Sequence, residues 1–391
     1  MARRQAELEA LLRGTLAEKQ AAVDRLARDR EALLVRLTAL SLTARCQIEV
    51  SRHYAALGAP HGSFGEGRVA SMQLAADDAG GALAVAAGGG SASSGAAAEA
   101  GNELLADLPH LAPGASLLDL EGVTREEVEW YRRMSLADLK AHWRTLVEEG
   151  RPLLFGQSGA AGRAPASAAA ATSAVGRSCG SNASGSGSAG EGRAQQERLA
   201  DLGRRMSSVL ALVSLHNIEV YMRFVVTRTD GDEVVSGDAD AGLAHWEAVL
   251  RGVRYTRTQA VLICRVCNNF FEQLAPLRAE RAELSRAFAA APPAGAGPPP
   301  LGGGGGAGPD CPNWPPHGDA AEVLARIEEN TACERATICL VAQVARALNT
   351  PAQCARIWVL AYPYPVHMTV CISVLEHDLK FRPETFVATV D

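Results

Sequence analysis

Segments in which polar and apolar residues alternate are scarce in this 391-residue chain, which argues against a sheet protein. No uncharged apolar run reaches the ~18 residues needed to cross a bilayer, so no membrane partner is expected. The cysteines at Cys46, Cys179, Cys264, Cys267, Cys311, Cys333, Cys339, Cys354 and Cys371 lack the spacing of a disulfide framework. The N-terminus is charged and helical rather than a secretory signal. Reduced thiols in an intracellular protein are therefore expected. No Gly-rich loop leads into a GK[ST] motif and no nucleophile elbow occurs. Neither catalytic residues, a cofactor nor a small-molecule ligand is evident. The net charge of −6 excludes a chain that is basic throughout. The first 54 residues carry ten Lys/Arg against seven Asp/Glu, so the remainder is acidic.

Against those absences stands one regular pattern. Leu12, Leu26, Leu33 and Leu40 fall at heptad spacing, with Lys19 at the missing step. The companion positions are Leu16, Val23, Arg30, Leu37 and Ala44. Together they trace an a/d seam that only Gly14 interrupts. A stripe that narrow asks for a partner helix, so residues 1–57 read as a leucine-zipper-like coiled coil, most simply a parallel homo- or heterodimer. Lys19 and Arg30 weaken the seam, because a charge in a dry core is costly.

Tracts such as GGALAVAAGGGSASSGAAAEAG and PPPLGGGGG bury too little apolar surface to offset their ordering entropy. They mark low-complexity or disordered linkers over 58–122, 157–195 and 292–318. Three helical pieces remain beyond the first: a helical pair over 123–156, a bundle over 196–291 and a C-terminal segment over 319–391. Thr124 with Glu127 and Ser135 with Asp138 have capping-box spacing. Thr350 caps a further helix with Pro351 at its first position. Pro152 is expected to end the second piece, and Pro276 to kink or break the long run that follows Ile263. The fold class is mainly α.

Other motifs reduce to packing. Cys264 and Cys267 have CxxC spacing, but no second pair supplies the other two ligands of a zinc site. Three-residue spacing on an apolar helix makes them core residues. Asp230–Asp240 resembles a calcium loop, yet Val234 and Ala241 stand where ligands are needed. His216 and His245 read as boundary or core residues, and Trp130, Trp143, Trp246 and Trp358 as core. No metal ligands are assigned.

The zipper, the segment MSLADLKAHWRTLVEEGRPLL (Met134–Leu154) and the segment TPAQCARIWVLAYPYP (Thr350–Pro365) together resemble a family of green-algal bZIP-domain proteins. That resemblance implies a nuclear transcriptional regulator that dimerises through the zipper and contacts DNA through a basic region. With Leu12 as the first zipper leucine, the basic residue falls at Ala2 and the asparagine before Met1. Arg3 and Arg4 are the residues that could represent a basic-region remnant, so DNA binding is expected to be weak or lost. The alternative is a coiled-coil scaffold without nucleic-acid binding, in the nucleus or the cytoplasm. A third reading, an enzyme or metal protein built on 196–291, would need ligands that the sequence does not display.

Overall fold

The computed structural model of the protein describes residues 2–58, 108–112, 114–156, 188–235, 241–290 and 320–387. Among these the chain is mainly α, and the extended pairings are two isolated bridges, Thr227 to Val234 and Thr256 to Val387. The helices are α1 (Ala2–Ala56), α2 (Arg125–Arg133), α3 (Leu136–Phe155), α4 (Ser188–His216), α5 (Ile218–Phe224), α6 (Leu243–Val253), α7 (Arg257–Ala290), α8 (Ala320–Ala347), α9 (Pro351–Ala361) and α10 (Met368–Phe381). Short 3-10 turns occur at Pro109–Leu111 and Pro383–Thr385. The low-complexity stretches 59–107, 157–187 and 291–319 lie outside the described residues.

The helix starts follow the sequence closely. Complete capping boxes open α2 at Thr124–Glu127, α3 at Ser135–Asp138 and α9 at Thr350–Gln353. The expectation that Pro152 ends its helix is corrected, and so is that of a break at Pro276. Pro152 lies inside α3, which ends instead at Gly156 with φ +71°. Helix α7 runs unbroken through Pro276. Both prolines sit on exposed faces, where the carbonyl that loses its amide partner is hydrated.

Although the sequence divides into separate helical pieces, their apolar faces merge. One cluster joins the C-terminal half of α1 to α6, α7, α10 and the end of α8, and a second joins α3 to α4, α5 and α9. The span 58–122 is also not linker throughout. Leu108, Leu111, Leu118 and Leu120 are buried in the first cluster. Arg45 of α1 donates to the carbonyls of Leu111 (2.7 Å), Ala112 (3.1 Å) and Ala115 (2.9 Å). Glu49 accepts from the amides of Leu117 (2.8 Å) and Leu118 (2.9 Å). Trp143 and Trp246 are core residues, whereas Trp130 is 52% exposed and corrects the expectation for it.

Helix α9 is the centre of the body. Ala352, Gln353, Cys354, Ala355, Ile357, Val359 and Ala361 are buried around its circumference, as in a helix with no solvent face. Three neighbours reach it through glycines. A Cβ on Gly203 of α4 would overlap the Pro351 carbonyl, one on Gly150 of α3 would meet Val359, and one on Gly252 of α6 would meet Leu360. At Gly203 the obstacle is backbone, which cannot swing aside. Gly203→Ala is therefore expected to destabilise the body by about 1–3 kcal/mol or more, despite its better helix propensity. Urea unfolding measures it; an unchanged or higher stability would show that α4 and α9 are not in this contact.

Helix α1 is fastened at its C-terminal end by a histidine pair. The Nε2 atoms of His53 and His216 lie 2.9 Å apart, so one ring donates and the other accepts. The Tyr54 hydroxyl donates to the Leu215 carbonyl at 2.7 Å. Burial pushes both imidazoles below the ordinary histidine value, His216 to about 4, with His53 and Arg132 adding repulsion and Glu129 opposing it. An unfolded chain takes up these protons from about pH 6.5 downward, whereas the folded chain takes up that of His216 only near 4 and holds His53 below its ordinary value. The pair's contribution is thus present above 6.5 and lost as pH falls through that window. The thermal midpoint of the wild type should drop across it more steeply than that of His216→Gln. Parallel curves would show that the pair does not titrate with docking.

Candidate partner-helix interface

Helix α1 has two unlike halves. From Val35 onward one face is buried: Val35, Thr38, Ala39, Leu42, Cys46, His53 and Tyr54 pack on the body. Before Val35 the helix carries large apolar side chains with nothing against them. Leu11, Leu12, Leu16, Val23, Leu26 and Leu33 are 57–69% exposed. Isolated exposed leucines are ordinary, but six along one helix form a continuous patch of the kind that marks an interaction site.

The phase of the two faces decides what the seam can do. With Leu16, Val23, Arg30 and Leu37 as position a, and Leu12, Lys19, Leu26, Leu33 and Leu40 as position d, the docked residues from Val35 to His53 occupy positions b, c and f, while Tyr54, beyond the seam, falls at d. At ~100° per residue these lie on the side of the helix opposite the seam. The body therefore holds α1 by its back. Leu37 and Leu40, which the seam also claims, are half-buried but stay on the side away from the docked face. Leu12, Leu16, Val23, Leu26 and Leu33 are exposed, and among the described residues no other helix is brought to them.

The flanks of the exposed seam are nearly neutral. Positions e and g from Arg13 to Leu34 are Arg13, Thr15, Gln20, Ala22, Ala27, Asp29 and Leu34. Two opposite charges among seven residues impose little selection through flank ion pairs. Arg3 and Arg4 are exposed on the first turn of α1, far along the helix from the docked half. Two cations on one helical turn can neutralise few phosphates.

The remaining candidates fall in the core. Cys264 and Cys267 are buried on α7, and burial pushes the Cys264 thiol up to about 12 and that of Cys267 higher still. Such thiols stay protonated and unreactive. No cluster of three or more His, Cys, Asp or Glu residues is placed to hold a metal among the described residues. Asp230 pairs with Arg228 at 2.8 Å, and 236–240 of the calcium-like stretch lie outside the described residues. His245 is packed edge-on against Trp246.

The docking residues Arg45, Glu49, His53 and Tyr54 are not apparent as such in the sequence. Arg45 and Glu49 have the spacing of a flank ion pair, and only the leucine-rich segment LPHLAPGASLLDL hints that something folds back on α1.

No family model, curated protein or solved structure matches the chain. The likeness to bZIP-domain proteins stands on the residues quoted for it.

The two faces of α1 should respond differently to substitution. Leu26→Gln removes an exposed side chain and should leave the stability of the dilute protein within about 0.5 kcal/mol. Leu42→Ala, at 1% exposure, should cost about 2–5 kcal/mol. Denaturant titration at nanomolar concentration distinguishes them. A large loss at Leu26 would mean that the seam is already covered within one chain.

Proposed function

We propose that this protein is a self-associating coiled-coil scaffold, in which the exposed seam of α1 pairs with the same seam of a second copy while the helical body is presented on the outside. The observation that carries this reading is the opposition of the two faces: the body occupies the back of α1, so a partner helix on the a/d face meets exposed side chains from Leu12 to Leu33 and half-buried ones at Leu37 and Leu40.

The two cations favour an antiparallel pair. A parallel pair in register stacks Lys19 on the Lys19 of the second copy and Arg30 on its Arg30, inside a core where charge is expensive. In the antiparallel register centred on Arg28 every a position faces a d position. Leu16 meets Leu40, Val23 meets Leu33, Arg30 meets Leu26, Lys19 meets Leu37 and Ala44 meets Leu12. Neither cation then faces its own copy. The seam from Leu12 to Ala44 is used end to end, and the two bodies lie toward opposite ends.

The rival reading, a nuclear bZIP-like transcriptional regulator, uses the same seam but needs a basic surface. Arg3 and Arg4 alone would give weak duplex binding with a shallow salt slope of about −0.9 per phosphate contact.

Sedimentation of the full chain should show a dimer in the micromolar range. Leu16→Cys and Leu40→Cys chains should form disulfide-linked dimers when mixed and oxidised, but not singly beyond the wild-type background. A monomer at ~100 μM would end the scaffold reading, since a seam of this length should associate below that concentration. Efficient self-crosslinking of each single variant would replace the antiparallel pair with a parallel one. Nanomolar, sequence-selective DNA binding at physiological salt would restore the regulator.

A further inference from the structure

Arg346 near the end of α8 is a cation in an environment that does not suit one. It borders a partly enclosed cavity of about 100 Å³ lined by residues of the helices α4 to α10. The walls are mostly apolar, with Leu210, Ile263, Ile357, Trp358, Met368 and Leu375 among them. The guanidinium donates to the side-chain oxygen of Gln343, which in turn donates through its amide to the Ser214 hydroxyl at 2.5 Å. That hydroxyl donates to the Ala211 carbonyl at 2.9 Å. The chain of bonds holds Arg346 in place but brings it no negative charge. Among the described residues no carboxylate forms an ion pair with it, and the groups that favour its charge electrostatically are Cys354, Tyr221 and Cys46, all neutral at pH 7. Burial correspondingly lowers its affinity for the proton. Asn349 also borders the cavity, with its amide donated to the Ala345 carbonyl at 2.7 Å and its buried Oδ1 without a partner.

A guanidinium remains protonated in proteins, so this charge cannot be removed by titration. A half-buried cation among apolar walls, with no counter-charge on it among the described residues, gains from an anion that joins it. The planar fork of arginine matches a carboxylate, which accepts two parallel hydrogen bonds. The space beside it is apolar and comparable to, though smaller than, a cavity of about 150 Å³ that accommodates benzene. Polar head and small apolar body are thus specified by different parts of one cavity.

We propose that the Arg346 cavity binds a small monocarboxylate with a short, branched apolar tail of about three or four carbons beyond the carboxyl, the carboxylate on the guanidinium and the tail between Ile357, Trp358 and Met368. The site lies in the helical body, apart from the α1 seam, and does not depend on self-association.

The test uses the full chain with 3-methylbutanoate as the probe and its neutral amide as the control, each up to about 10 mM at constant ionic strength. The carboxylate should bind one per chain by calorimetry, alter Trp358 fluorescence, and raise the thermal midpoint by about 3 °C or more at saturation. The amide, acetate and chloride should do none of these at the same concentration, and Arg346→Met should abolish the carboxylate's effect. No binding of the carboxylate, equal binding of the amide, or an equal effect of chloride overturns the proposal. If Arg346→Met does not fold, the comparison of carboxylate with amide on the unaltered protein decides alone.

Discussion

The body depends on closing the N-terminus of a helix that is packed on every side. The first amides of α9 lie in the core, where an unpaired N–H is costly. Gln353 completes its own capping box by accepting from the Thr350 amide at 3.0 Å. Gln259 does the same for Thr256 at the start of α7, at 3.1 Å. The two side-chain amides then bond each other in both directions, at 2.8 and 3.1 Å. Their remaining donors close the preceding helices: Gln259 to the Leu348 carbonyl beyond α8 at 3.0 Å, and Gln353 to the Arg254 carbonyl beyond α6 at 3.1 Å. Four helix ends thus share one pair of glutamines. The glycine contacts around α9 can be close because its position is fixed by this network at one end.

That arrangement explains how α1 can dock on the body along one half and expose an apolar seam along the other. The body is held together by α9 and its neighbours, so α1 is an addition to an existing surface. Its C-terminal half contributes Val35, Ala39, Leu42 and Cys46 to the cluster with α7 and α8, while Arg45 and Glu49 hold the 108–122 segment against it. Positions b, c and f carry this docking up to His53, with Tyr54 at d, and the a/d seam stays exposed from Leu12 to Leu33. A helix wrapped on both faces by its own chain could not also seek a partner. A helix with only the seam would leave the body unattached.

Much of this was legible in the sequence wherever the determinant is local. Thr124–Glu127, Ser135–Asp138 and Thr350–Pro351–Gln353 act within four residues, and the structure completes each. The heptad leucines are equally local, and they do share one face. What resisted was the second partner of each local signal. Thr256–Gln259 has the same capping spacing as Thr350–Gln353, but its significance lies in Gln353, 94 positions away. Pro276 and Pro152 read as breaks because the lost hydrogen bond is counted locally, whereas an exposed carbonyl finds water without leaving the helix. Trp130 has the spacing of a core residue on α2, yet its ring stands edge-on against Tyr131 and His142 at the surface. Arg346 is one arginine among many until side chains of seven helices gather around the cavity it borders.

Docking also changes the energetics of the seam. An isolated helix begins with an unfavourable nucleus, since several residues must be fixed before the first hydrogen bonds form. In α1 the body supplies that nucleus: residues from Val35 onward are already helical and packed, and the turns before them add to an existing end. The exposed leucines are thereby presented in register before any partner arrives, which lowers the ordering penalty of association. Lys19 and Arg30 act in the other direction by limiting the apolar surface that pairing can bury. A prearranged helix with an imperfect seam favours association that is reversible and that selects orientation, because the cations penalise some registers far more than others. In the proposed pair the strength of the contact would thus be set by the leucines, and its geometry by the two charges that interrupt them.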